Sequence, residues 1–305
     1  TGLEVECHRT RLDNPRLAPE DAGQPATPPD VSLTHRGYNY LTELNYDQLE
    51  PILDILRQNI QGLGLGLHSM EIEFGPSQVE MVFKVAEGIQ SADDMVLFRS
   101  AVKQVCRRHG YHASFMCRPR LPDVMSSGWH LHQSLKVLSS GANAFVPDSS
   151  AAPLSETGLF WLGGLLEHAA AATVFSTPTI NGYKRYRPFS LAPDRAIWGM
   201  DNRGVMLRVI SAQNDPASRI ENRVGEPAAN PDLYRASQVI VGLDGLAKRT
   251  SPGTPADEPY GTPAPLLPTT LARAVEALEH SSVFRTAMGD GFINYLTEIK
   301  KSEIK

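Results

Sequence analysis

Two glutamates set two apart in a strand pattern, Glu4 and Glu6 in the opening run GLEVEC, constrain this chain more than any other feature. Successive side chains on a strand point to opposite faces, so both carboxylates share one face. That face would otherwise carry apolar side chains towards a core, where charge is rarely buried without a partner. The same arrangement recurs. Glu73 and Glu80 flank the turn signal Gly75-Pro76-Ser77 between the alternating segments LHSMEIEF and QVEMVF. His130 and His132 share one face of a strand over Trp129–Leu135, and Glu221 and Arg223 share one face of another over Arg219–Val224.

A single glutamate on a strand face is more often solvated than functional, and paired histidines are more often structural than ligands. Several such pairs together are harder to dismiss. Adjacent carboxylates cannot all ionise without a cation, and carboxylates with an imidazole and no thiolate suit hard divalent ions such as Mg²⁺ or Mn²⁺ better than zinc. The usual nucleotide signatures are missing: there is no GxxxxGK[ST], and GLGLGL at residues 62–67 does not make GxGxxG. HExxH and CxxC are absent as well.

The 305 residues carry 29 Lys+Arg against 34 Asp+Glu, so no basic surplus points to nucleic acid. With 305 residues, 41% of them hydrophobic, the chain has ample material for the core of one large domain or two small ones. The most apolar run, LFWLGGLL at 159–166, is too short to span a bilayer, and TGLEVE does not read as a signal peptide. Cys7, Cys106 and Cys117 fit a reduced, cytoplasmic protein better than a disulfide framework.

Apolar spacing predicts a helix near Tyr46–Gln61, with Pro51 in its first turn and Gly62 and Gly64 ending it. A Pro-rich loop over Leu12–Arg36 precedes it. A second helix is predicted from an Asp93 or Asp94 cap to Gly110, followed by a strand at Ala113–Cys117. A buried helix starts near Ser155, strands follow at Ala196–Met200 and Val205–Ile210, and Asn230-Pro231 opens a helix to about Leu246. After a loop over Ser251–Pro268, two helices finish the chain. Strand pairs mixed with single helices predict an α+β fold, without internal repeats.

The strings MEIEFGPSQVE, SSGWHLHQSL, NGYKRYRP, WGMDNRGVMLRV and SRIENRVGEPAANPDLY, with ASFMCRP ahead of the histidines, resemble the glutamine synthetase family in order and spacing. The resemblance covers the C-terminal catalytic domain over residues 1–305, a curved antiparallel sheet flanked by helices; the family's small N-terminal β-grasp domain is absent from this chain. It implies two divalent ions, one on Glu6, Glu73 and Glu80, the other on Glu4, His130 and Glu221. It also implies that His132, Ser134, Arg208 and Arg219 contact ATP. Arg185 would grip the α-carboxylate of glutamate, and Arg203, Arg208 and Arg223 would neutralise the transferring phosphoryl group, where a planar guanidinium suits phosphate oxygens. The family assembles as homo-oligomers, commonly dodecamers, with sites between neighbours. Its reaction is a γ-glutamyl phosphate synthesis from glutamate and ATP, then displacement by an amine.

Two positions depart from the family. Met125-Ser126 stand where an Asn-Gly usually helps recognise glutamate, with Ser126 still placed for substrate contact. In the segment Pro188-Phe189-Ser190-Leu191-Ala192-Pro193, Leu191 replaces a glutamate that attracts and deprotonates ammonium. A leucine does neither. The expectation is therefore a γ-glutamyl–amine ligase acting on an organic amine, aromatic or alkyl, with Leu191 and Phe189 facing its apolar part. The alternatives are ordinary glutamine synthesis with a base supplied elsewhere, and a non-catalytic relative.

Overall fold

The computed structural model describes residues 1–16, 18–187 and 189–305. Leu17 of the Pro-rich stretch and Pro188 of the segment before Leu191 lie outside the described residues. The strands are β1 (Gly2–Leu12), β2 (Val31–Ser32), β3 (Leu67–Ile72), β4 (Gln78–Phe83), β5 (Tyr111–Ser114), β6 (Trp129–Gln133), β7 (Trp198–Met200), β8 (Leu207–Ile210) and β9 (Arg219–Asn222). They join one sheet in the order β3-β4-β1-β6-β9-β8-β7, with β2 and β5 paired to the far half of β1. The expected antiparallel sheet is mixed at one edge, where β7 runs parallel to β8. Side-chain periodicity reports which face a residue takes, not the direction of its strand, so this pairing had no sequence signature.

The period of two sorts β1 as its pattern demands. Leu3, Val5 and Cys7 join a core cluster with Leu49, Ile52, Leu53, Leu56 and Ile60 of α1 (Glu43–Gly62) and Phe98 and Val102 of α2 (Gln90–Arg108). Each such side chain, fully buried, contributes roughly 1.5–3 kcal/mol. Glu4 and Glu6 are thereby turned to the opposite face. A second cluster lies under α3 (Glu156–Glu167), α4 (Ala169–Ser176), α5 (Pro231–Lys248) and the helices at the chain end, and includes Trp161, Phe175, Leu207, Val209, Ile220 and Phe284. α3 and α5 meet backbone to backbone: a Cβ on Gly164 would strike the Val241 carbonyl, and one on Gly245 the Phe160 carbonyl.

Several boundaries differ from expectation. α1 starts at Glu43, so Pro51 sits in the helix interior rather than its first turn. The first turn carries exposed Leu44 and Tyr46 and lacks the apolar spacing that marks the rest. α2 begins at Gln90, with no side-chain cap, and Asp93 lies inside it. The loop predicted over 12–36 contains β2 and a short 3₁₀ turn at Pro19–Ala22. Three helices, α6 (Leu271–Glu279), α7 (Ser282–Met288) and α8 (Asp290–Ile304), close the chain instead of two. No single described helix is long and apolar enough to cross a membrane; α3 and α4 reach that length only as a pair bent by 80°.

Candidate active site

Strand register assembles the acids. Directly opposed residues of neighbouring antiparallel strands share a face. Glu80 of β4 pairs with Glu71 of β3 and with Glu6 of β1. Glu4 pairs with His130 of β6, His132 pairs with Glu221 of β9, and Glu221 pairs with Arg208 of β8. Three rows of opposed pairs, each stepped by two residues from the last, thus place five carboxylates, two imidazoles and a guanidinium on one face across five neighbouring strands and the edge strand β3. Glu73 follows β3 and keeps its parity, its N–H bonded to the Gln78 carbonyl at 3.0 Å.

The hydrogen bonds settle the imidazoles. Arg185 Nη2 donates to His130 Nε2 at 3.3 Å, which leaves Nδ1–H of His130 for Glu4 Oε2 at 3.2 Å. The same Nδ1 lies 3.5 Å from Glu221 Oε1, so Glu4, His130 and Glu221 meet at one point. Arg219 Nε donates to His132 Nδ1 at 3.0 Å, and His132 Nε2 faces Glu4 Oε1 at 2.9 Å. Burial, then the Arg223 charge, lowers His130 to about 4, so it is a neutral donor at pH 7. Burial opposes charge on Glu4, but the bond with His130 and the closeness of His132 outweigh it and hold that carboxyl well below the usual range.

Glu6 and Glu80 behave in the opposite way. Burial, then the charge of Glu73, pushes Glu6 up to about 8; burial, then Glu6 and Glu73, pushes Glu80 up to about 11. Burial raises Glu73 too. Glu80 Oε1 is buried without a hydrogen-bond partner. Acids packed so closely, with a carboxylate oxygen left unsatisfied, are the donor set of a hard divalent cation. Among the described residues, donor atoms of Glu4, Glu80 and His130 lie mutually within 4.8 Å, as do those of Glu4, His132 and Glu221. Glu4 belongs to both groups. Glu6 meanwhile accepts a 2.7 Å bond from Gln78 Nε2.

Arginines form the next layer. Glu221, fully buried, accepts from Arg208 Nη1 at 3.1 Å and from Arg223 Nη1. Arg208 also pairs with Asp201 through Nε at 2.9 Å. Arg185 Nη1 donates to the carbonyls of Arg223, Val224 and Gly225 at 2.8, 3.2 and 3.2 Å, which fixes the guanidinium against His130. Gly128 makes room for both: a Cβ there would stand 2.6 Å from Arg185 Nη2 and 2.8 Å from His130 Nε2.

These groups open onto a cavity of about 380 Å³ lined by Glu4, Glu6, Glu73, Glu80, His130, Arg185, Arg203, Arg208 and Arg223. Met125, Ser126 and Leu191 also line it, so the positions that depart from the family face the same space. Ser126 Oγ accepts from Arg118 Nη1 at 3.2 Å. Leu191 is 57% exposed and left-handed, with φ +56°. Phe189 does not join it: it packs on Tyr260 with ring centroids 4.6 Å apart and is absent from the lining. His132, Arg219 and exposed Ser134 lie outside this cavity, along β6 and β9. Sequence reasoning missed Glu71, Gln78, Tyr40 and Phe74, all of which line it. Glu71 was legible from its spacing of two from Glu73; Tyr40 sits in a loop and had no signal.

Residues 10–305 match the family model described as glutamine synthetase, catalytic domain. The chain is 48% identical over 307 residues to the gamma-glutamylanilide synthase of an Acinetobacter sp, covering 99% of this chain and 61% of that protein. It is 32% identical to the glutamine synthetase of Thermus thermophilus, covering 88% of this chain and 62% of that one. The solved structure of apo GmaS without ligand superimposes with a TM-score of 0.81 at 27% identity, covering 99% of this chain and 68% of the other. The chain therefore spans 61% and 62% of the length of these two curated relatives.

Proposed function

We propose, for a chain that belongs to the glutamine synthetase family through its catalytic domain, the ATP-dependent ligation of an organic amine to the γ-carboxylate of glutamate. The observation that carries this reading is Leu191 on the wall of the cavity that also holds the acids and arginines. Ammonia is mostly ammonium at pH 7 and needs a carboxylate to draw it in and take its proton. An aromatic amine is already neutral, and its ring gains from an apolar wall. The similarity to a gamma-glutamylanilide synthase supports the same choice.

In this reading the γ-carboxylate attacks the γ-phosphate of ATP, and the amine then displaces phosphate from the acyl phosphate. Arg203, Arg208 and Arg223 neutralise the phosphoryl oxygens, and their existing bonds to Glu221 and Asp201 hold the guanidinium groups of Arg208 and Arg223 in place. Arg185, locked by three carbonyls, holds the α-carboxylate of glutamate at a fixed distance from the acids. Ser126 contacts the same substrate, while His132, Ser134, Arg208 and Arg219 take the nucleotide. Two divalent ions, Mg²⁺ or Mn²⁺, would sit on Glu6, Glu73 and Glu80 and on Glu4, His130 and Glu221, and supply Lewis-acid polarisation of the phosphate oxygens. The reading includes a homo-oligomer whose neighbours complete each site, as in the family's rings.

Ordinary glutamine synthesis is the second reading, favoured by Glu71, a carboxylate on the same cavity wall that could serve ammonium in place of residue 191. Phosphate release from ATP by the assembled enzyme, with glutamate and a panel of ammonia, methylamine and aniline, separates them. Preference for ammonia over every organic amine would replace the first reading with the second.

A further inference from the structure

The acidic floor of the cavity continues into an aromatic shelf. Tyr40 and Phe74 line the cavity beside Glu71 and Glu73, and each is 40% exposed. Their positions are braced. Tyr38 stands edge-on to Phe74, with centroids 5.3 Å apart and planes at 89°, and its hydroxyl donates to the Asp123 carbonyl at 2.8 Å. The segment on either side of Tyr40 is tied to the β3–β4 hairpin, through Tyr38 N–H to the Phe74 carbonyl at 2.7 Å and Leu41 N–H to the Ile72 carbonyl at 3.4 Å. Tyr38 and Leu41 hold left-handed backbones, φ +68° and +54°, which bulky residues adopt only where the surroundings impose it. Phe74 N–H bonds to the Glu73 carboxylate at 2.8 Å, and Glu71 lines the same wall, so an acceptor for an amino group and an aromatic face adjoin.

We propose that Tyr40 and Phe74 form the wall on which the ring of an aromatic amine lies, with its nitrogen towards Glu71, and that Phe74 sets the preference for a ring over an alkyl chain. The inference rests on the ligase reading above and deepens it. A neutral arylamine needs an apolar face for its ring and acceptors for its N–H groups. Rings that meet at an edge or an offset add to simple burial. Methylamine has no ring to place there.

The test is steady-state ligation by the assembled enzyme, with saturating ATP, glutamate and Mg²⁺, using aniline and methylamine in parallel. Wild type is compared with Phe74→Ala, Tyr40→Ala and the conservative Phe74→Tyr. The aniline-to-methylamine ratio of kcat/KM should fall about tenfold in each alanine variant, through the KM for aniline, and return to near wild type in Phe74→Tyr. Should Phe74→Ala fail to fold, Tyr40→Ala reads the same wall. Equal losses for both amines, or an unmoved ratio in folded variants, would overturn the aromatic wall and leave the ligase reading standing. Absence of any γ-glutamylamide product from wild type would overturn both.

Discussion

Glu4 and His130 are register partners across β1 and β6, and the His130 Nδ1–H bond to Glu4 Oε2 spans 3.2 Å. The pair is the middle row of the three. Glu221 meets it from β9, and Arg185 fixes the far nitrogen of the same ring. Arg185 thus touches both this imidazole and, in the proposed reaction, the substrate, so displacing its guanidinium would disturb both.

His130→Ala removes that junction while vacating a site on the cavity wall. Turnover at saturating Mg²⁺ should drop about a hundredfold or more. Near-normal turnover would remove the basis for assigning the phosphate-side ion to His130.

Glu221→Ala should cost stability as well as activity. Glu221 is fully buried and neutralises Arg208 and Arg223, so its loss leaves Arg223 without its carboxylate and Arg208 with Asp201 alone. Breaking a buried pair of this kind costs about 3–5 kcal/mol, which urea unfolding of wild type and variant would read. Equal midpoints with equal slopes would show that the arginines are compensated elsewhere.

Protons on Glu6 and Glu80 make metal and pH interdependent. Both carboxyls titrate higher in the fold than in an unfolded chain, Glu6 at about 8 and Glu80 at about 11. The folded state therefore binds more protons than the unfolded one from the ordinary carboxylate range upward, and the stability of metal-free protein falls as pH rises. The opposing effect of neutral His8, His35 and His130, each lowered to about 4, is complete above the ordinary histidine value of about 6.5. From pH 7 to 8.5 the metal-free melting temperature should fall, by about 3 °C. Added Mg²⁺ takes the place of the protons, so the temperature it restores should be larger at pH 8.5 than at pH 6.5. A Mg²⁺ effect that shrinks with rising pH would contradict the raised carboxyls.

Gly128→Ala tests the seat of Arg185. The new Cβ would crowd Arg185 Nη2 at 2.6 Å and His130 Nε2 at 2.8 Å. Displacement of a positioning group by about an ångström is worth about a hundredfold, and here it should raise the KM for glutamate and lower kcat together. A change confined to the KM for ATP would place Arg185 away from glutamate.

Leu191→Glu puts an anion on the cavity wall. The ratio of kcat/KM for ammonia over aniline should rise about ten- to a hundredfold, as a neutral ring loses its apolar contact and ammonium gains a partner. An unchanged ratio would remove Leu191 from the amine site.

The linear pattern by itself determined which side chains share a face. Glu4 with Glu6, and His130 with His132, follow from a period of two, and Gly75-Pro76-Ser77 announces the turn that brings Glu73 and Glu80 together. The strings around Arg185, Arg203 and Arg223 carried the family. Tertiary structure alone decided which strands lie side by side, because pairing partners and strand direction are set by packing over long separations and leave no local period. Hence the parallel β7–β8 pair, the sharing of Glu4 between two donor groups, and the turn of Phe189 away from Leu191 onto Tyr260 could not be read from the chain. Tyr40 and Phe74 reach the cavity for the same reason: loop backbone bonded to a hairpin places them, and no spacing rule describes a loop.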